Sequence, residues 1–174
     1  MDEPADKNIK PPTKKAEVTL PLFEGLEEVH FSQSLTEKLG RSARDSMFIN
    51  NPGMTYLAIK YYVSDDALVS ICNNVDRALM EAGFKALSAK ARLDSKNSPT
   101  SPHGAYTKVD GPDLLLTVNY AKRVLEKMQA KSRANDDPML EFMIPLENRK
   151  YAVTIIVARG MATPLNRYIN KTFK

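Results

Sequence analysis

YAVTIIVA, residues 151–158, decides the architecture, because both of its alternations are apolar. Val153, Ile155 and Val157 lie on one side, and Ile156 flanked by Ala152 and Ala158 lies on the other. A strand with one wet face alternates apolar with polar, so this one is expected to be buried on both faces in the middle of a sheet. The charge around it is lopsided. Residues 149–174 hold Arg149, Lys150, Arg159, Arg167, Lys171 and Lys174 and no acid, although the whole chain has 25 basic against 21 acidic side chains. The surplus is therefore local to this end.

Working outward, MLEFMIP at 139–145 reads as a second strand, joined to the first through LENR as an antiparallel hairpin. Thr163 and Pro164 signal a C-terminal helix whose Leu165, Tyr168, Ile169 and Phe173 share a face. MTYLAIKYYV at 54–63 is the clearest other strand, with Leu57, Ile59, Tyr61 and Val63 as its apolar side. Tyr56, Lys60 and Tyr62 make the side that tolerates water. Ser64 then reads as an N-cap, with Asp65 and Asp66 in the first turn of a helix running through Leu68, Ile71, Cys72, Val75, Leu79, Ala82 and Ala86 and fading near Lys96.

Nearer the N-terminus, AEVTLPLF at 16–23 alternates as an edge strand, since Pro21 offers no ladder N–H. SLTE at 34–37 has capping-box spacing before a helix carrying Leu35, Leu39, Ala43 and Met47, weakened by Gly40 and stopped by NNPG at 50–53. Residues 94–112 hold three prolines without periodicity and read as a long loop. Pro112 opens a further helix with Leu114, Leu115, Val118, Ala121, Leu125 and Met128 on its buried face, and NDDP at 135–138 ends it. The expected class is α+β: a mainly antiparallel sheet of about four strands covered by about four helices. A single domain over residues 16–174 follows a disordered leader at 1–15.

Composition excludes several classes. One cysteine, Cys72, rules out an internal disulfide framework and a multi-thiolate zinc site. No stretch approaches the length of a membrane span and no secretory h-region opens the chain, so a cytoplasmic protein is expected. The phosphate-cradling glycine motifs and the hydrolase elbow are missing. His30 and His103 lack metal-ligand spacing, Cys72 falls on an apolar face, and Asp65/Asp66 and Asp136/Asp137 sit where capping and turn formation explain them. The expectation is a non-enzymatic protein with no cofactor, catalytic residue or metal site.

The basic positions carry the functional reading. Arg123, Lys127 and Lys131 recur every fourth residue on a helix, Lys90 and Arg92 enrich the end of the long helix, and Arg167 and Lys171 repeat on the terminal one. Each stripe by itself reads as a solvated helix face. Together with Lys60 and Arg159, and with Tyr56, Tyr62, Tyr106 and Tyr168 nearby, they are expected to form a nucleic-acid surface meeting phosphates, most simply those of duplex DNA. The strand and capped helix of residues 54–92 are similar in outline to ribbon-helix-helix regulators. That resemblance implies a homodimer, transcription regulation, and Tyr56, Lys60 and Tyr62 as base-reading side chains. The alternative is a protein-interaction module, an adaptor, chaperone or assembly subunit meeting an acidic or amphipathic partner, for which Met139 and Met143 would supply adaptable contacts.

Overall fold

Strand β6 (Tyr151–Arg159) runs between β2 (Thr55–Ser64) and β5 (Asp113–Tyr120), antiparallel to both. Its two apolar sides place it there, as its sequence requires. The computed structural model describes residues 19–45, 53–96, 100–131 and 137–160. Among them the class is α+β. One six-stranded antiparallel sheet has the order β1-β2-β6-β5-β4-β3, completed by β1 (Glu27–Val29), β3 (Lys85–Ala86) and β4 (His103–Thr107). Four helices accompany it: α1 (Gln33–Ala43), α2 (Leu68–Glu81), α3 (Ala121–Lys131) and α4 (Asp137–Met143).

The helices divide between the two faces. Ile71, Cys72, Val75 and Leu79 of α2 bury against Tyr62, Leu114, Leu116, Val118, Val153, Ile155 and Val157, which form the main core. On the opposite face Leu35 of α1, Ala121 of α3 and Phe142 of α4 close over Val63 and Ala152. Met54, Ala91, Ala105, Leu115 and Ala158 make a smaller cluster further along.

Four elements differ from the sequence reading. Asp113–Tyr120 is a strand and not the start of a helix, because a short apolar run suits either form and lateral partners decide. Here β6 and β4 supply them on both sides, and the helix begins only at Ala121. Within the predicted loop, β4 pairs with β5, Ala105 opposite Leu115, and is largely buried. Residues 139–145 form the end of α4 and a 3₁₀ turn, Ile144–Leu146, so β6 has no hairpin partner there. Residues 19–23 form no strand. The edge strand is β1 instead, and Phe23 packs edge-on to Tyr62 with ring centroids 5.4 Å apart.

Helix α2 stops at Glu81 rather than near Lys96. Gly83 takes φ +91°, and its N–H donates to the Met80 carbonyl at 3.1 Å while that of Phe84 donates to the Leu79 carbonyl at 2.9 Å. This pair of bonds closes a helix through a left-handed residue that glycine adopts without strain. Both predicted caps also shift. Ser32, not Ser34, caps α1, its hydroxyl accepting from the Leu35 amide at 3.2 Å. Ser64 is the buried last residue of β2 and donates to the Gly25 carbonyl at 2.7 Å. Asp65 serves the sheet end, accepting from the Lys150 amide at 3.1 Å and pairing with Arg149, which also binds Glu27. The amide bond, reinforced by Arg149, holds its carboxyl below the usual range. The leader, Met47, Asp136 and the C-terminal helix with Arg167, Tyr168 and Lys171 lie outside the described residues.

Candidate functional site

Among the described residues, strand β2 is paired with another strand on one side only over much of its length. β6 pairs with it from Thr55 to Ser64, whereas β1 reaches only Tyr61, Tyr62 and Val63. Among the described residues, no strand pairs with the outer edge of residues 55–60. Such an edge presents backbone N–H and C=O groups at alternate residues, ready to pair with a further strand.

Helix α1 lies beside that edge and makes a groove of it. Leu35, Leu39 and Ala43 face the core, which turns Thr36, Glu37, Gly40, Arg41 and Arg44 toward residues 56–60. The groove between them measures about 610 Å³. Gly40 sets its depth: a Cβ there would stand 3.0 Å from the Tyr56 hydroxyl and 3.3 Å from the ring, so only glycine lets the tyrosine lie this close to the helix. The Arg44 guanidinium sits 4.8 Å above the Tyr56 ring, a cation–π contact. Burial raises the tyrosine pKa, and Arg44 partly offsets this.

A bulge decides which way Tyr56 points. Tyr56 opposes Ala158 and Ala58 opposes Val157, so Leu57 is an extra residue in the ladder. Tyr56 is thereby placed on the α1 face with Ile59 and Tyr61, while Lys60 and Tyr62 face the α2 side. The expected set of Tyr56, Lys60 and Tyr62 is divided between the two faces. Tyr62 is also buried, and Lys60 pairs with Glu28 at 3.3 Å.

The other expected phosphate contacts are spread similarly. Arg92 gives two bonds to Asp76, from Nε at 2.9 Å and Nη2 at 2.7 Å, and so fastens the segment after β3 to α2. Tyr106 is fully buried beneath the same carboxylate. Lys90 is exposed on the 3₁₀ turn Ala89–Ala91. Arg123 and Lys127 are exposed on α3, on the face opposite Lys60, and Lys131 ends that helix with its side chain outside the described set. Arg159 is exposed at the far end of β6, opposite Thr55. Arg167 and Lys171 lie outside the described residues. The described members of the set therefore occupy both faces of the sheet, and two are already held by carboxylates.

Arg41 and Arg44 are different. Among the described residues, no carboxylate stands within ion-pair distance of either. Sequence reasoning passed over both arginines and read Glu37 only as part of the SLTE capping box, because it took this helix for its cap and its apolar face. The usable signal was Gly40, whose cost to a helix implies a close approach by another group.

Cys72 and His103 are not among the groove's lining residues. Burial raises the Cys72 thiol to about 11 and lowers the His103 pKa, the latter opposed by a hydrogen bond with the Ser101 backbone. Among the described residues, no group of three or more His, Cys, Asp or Glu is placed to hold a metal ion. No described helix is long and apolar enough to cross a membrane. No protein-family model, curated protein or solved structure matches the chain.

Proposed function

We propose that this protein is a non-enzymatic interaction module whose working surface is the groove between α1 and the outer edge of β2, where it receives an extended segment of a partner protein. The observation that carries this reading is the groove of about 610 Å³ between α1 and residues 56–60 of β2, a stretch whose outer edge no described strand joins. Strand addition uses backbone hydrogen bonds for affinity and side-chain pockets for selection, and this groove offers both. A regulatory protein that binds nucleic acid is the rival reading. It rests on the exposed Arg123 and Lys127 of α3, while the described members of the basic set are spread over both faces of the sheet.

The test is a selection from a random-sequence peptide library, followed by titration of isotope-labelled protein with the selected peptides and, separately, with a mixed-sequence DNA duplex. Peptides are expected to shift and protect the amides of residues 55–60, with DNA leaving them unmoved. If no peptide is selected and the duplex shifts α3 in a salt-dependent manner, nucleic acid is the partner and the groove reading is wrong.

A further inference from the structure

Helices α3 and α4 lie side by side over the sheet and turn a basic pair and an apolar pair to the same outer side. Val124 of α3 and Phe142 of α4 line one small cavity above Tyr61 and Ala152, which fixes how the two helices sit. We propose that this surface docks on an anionic membrane, with Leu140 and Ile144 entering the interface and Arg123 and Lys127 meeting lipid phosphates. None of the four lines the groove beside α1.

The apolar half follows from the spacing along α4. Phe142 is buried, stacked on Phe31 and edge-on to Tyr61. Leu140 and Ile144 stand two residues to either side of it, and two helical steps carry a side chain to the opposite side of the axis. They therefore point away from the sheet, 51% and 65% exposed. Glu141, between Leu140 and Phe142, turns toward α1, where it holds the Ser32 hydroxyl at 2.8 Å. Aliphatic side chains exposed singly need no explanation, but two neighbours one turn apart make a patch.

The basic half follows from α3. Ala121, Val124, Leu125 and Met128 take its inner side. Arg123 and Lys127 are exposed one turn apart, and their spacing from Val124 puts both on the flank nearer α4, with Lys122 on the other. Among the described residues, no carboxylate stands within ion-pair distance of either. Four basic residues of α3 stand against one acid, Glu126, so the field over the helix is positive.

This combination selects a lipid surface. Nucleic-acid phosphates would satisfy Arg123 and Lys127 and leave Leu140 and Ile144 in water. A protein partner would have to bring a matched pocket for side chains standing out from a helix, and the anchors of such interfaces are more often aromatic. A bilayer interface is fluid, closes around aliphatic side chains and holds phosphates at the level of their neighbours. Arginine and lysine reach those phosphates while their stems stay in the apolar layer. No described helix is long and apolar enough to cross a membrane, so the contact proposed is with the surface alone.

The experiment uses the full chain, which has no tryptophan, and vesicles of equal parts phosphatidylcholine and phosphatidylserine or of phosphatidylcholine alone. Co-sedimentation is expected with the mixed vesicles and not with the neutral ones, and should weaken as salt rises. Arg123→Gln and Lys127→Gln should each lower partitioning about fivefold. L140S with I144S, which leaves the charge unchanged, should lower it about tenfold or more. All four positions are exposed, and the circular dichroism spectrum checks that the fold is kept. I144W supplies a reporter whose emission should move to the blue with mixed vesicles and stay unmoved with a mixed-sequence DNA duplex.

Absence of sedimentation with mixed vesicles at low salt would overturn the proposal. So would binding that L140S with I144S leaves unchanged, since charge alone would then account for it. A duplex that displaces the vesicles, with an affinity sensitive to Arg123 and Lys127 only, would assign the two cations to nucleic acid. A blue shift of I144W without vesicles, together with a doubled mass, would make a second copy the cover of α4. None of these results bears on the groove, whose peptides are read at residues 55–60.

Discussion

Glu141 on α4 receives both the backbone amide and the hydroxyl of Ser32, the residue that caps α1. In an ordinary capping box the reciprocal acceptor comes from the third residue of the same helix, but that position in α1 is Leu35. The carboxylate is supplied instead from a residue 109 positions away. This contact fixes the start of the helix that walls the groove.

Replacing Ser32 with alanine removes the hydroxyl acceptor from the Leu35 amide and the donor to Glu141. The expected cost is about 1 kcal/mol in urea unfolding. Glu141→Ala should also destabilise, and the two changes together should cost less than their sum, since each breaks the same arrangement. Full additivity in the double-mutant cycle would show that the two residues act separately.

Tyr106, fully buried, donates its hydroxyl to Asp76 at 2.6 Å and accepts from the Leu93 amide at 2.9 Å. Tyr106→Phe leaves both partners without that bond in the core, at an expected cost of about 1–3 kcal/mol. Arg92→Ala should lower the melting temperature, because it releases the second oxygen of Asp76. It should leave any affinity for DNA unchanged, separating a structural role for Arg92 from the phosphate contact its sequence context suggested.

Gly83 closes α2 at φ +91°, and a Cβ there would meet only the Lys108 side chain at 3.4 Å, an ordinary contact. Gly83→Ala therefore tests backbone conformation with little steric complication. The expected loss is about 1–2 kcal/mol, with Gly83→Asn less costly because asparagine tolerates the left-handed region. A loss below a few tenths of a kcal/mol would mean that α2 can end in another way.

Cys72 lies on the buried face of α2 in the main core, where desolvation, and after it the charges of Asp94 and Asp76, raise its thiol to about 11 from an ordinary value near 9. The folded state thus holds the proton more tightly than the unfolded chain. This contribution to stability is complete below pH 9 and is lost as pH rises through 11. The thiol should resist alkylation at neutral pH until denaturant is added, and its thiolate absorbance should appear only near pH 11. Rapid labelling of the folded protein would contradict the burial.

What was legible depended on whether neighbouring positions carried independent information. β6 announced itself because two interleaved sets, Val153/Ile155/Val157 and Ala152/Ile156/Ala158, agreed on burial. β2 was as clear as a strand, but its bulge at Leu57 was not, and so Tyr56 was placed on the wrong face. β5 was not, since Leu114, Leu115 and Leu116 satisfy either period and the helical spacing of Ala121, Leu125 and Met128 invited one continuous helix. β4 was hidden by Gly104, and by the proline and serine residues just before it, which suggest loops whenever lateral pairing is unknown. The groove was least visible, because the edge of a sheet is a property of its strand order and belongs to no residue in particular.

Leu57 bears on which changes of length the strand can absorb. The ladder on either side of it keeps its partners whether or not the extra residue is present, since Tyr56 and Ala58 already oppose adjacent positions of β6. Strand interiors ordinarily forbid insertions and deletions, because one residue gained or lost exchanges the two faces. Here the extra residue is accommodated as a bulge, so a chain lacking Leu57 is expected to keep both faces of β2. Loss of Leu57 would leave the pairing around it undisturbed.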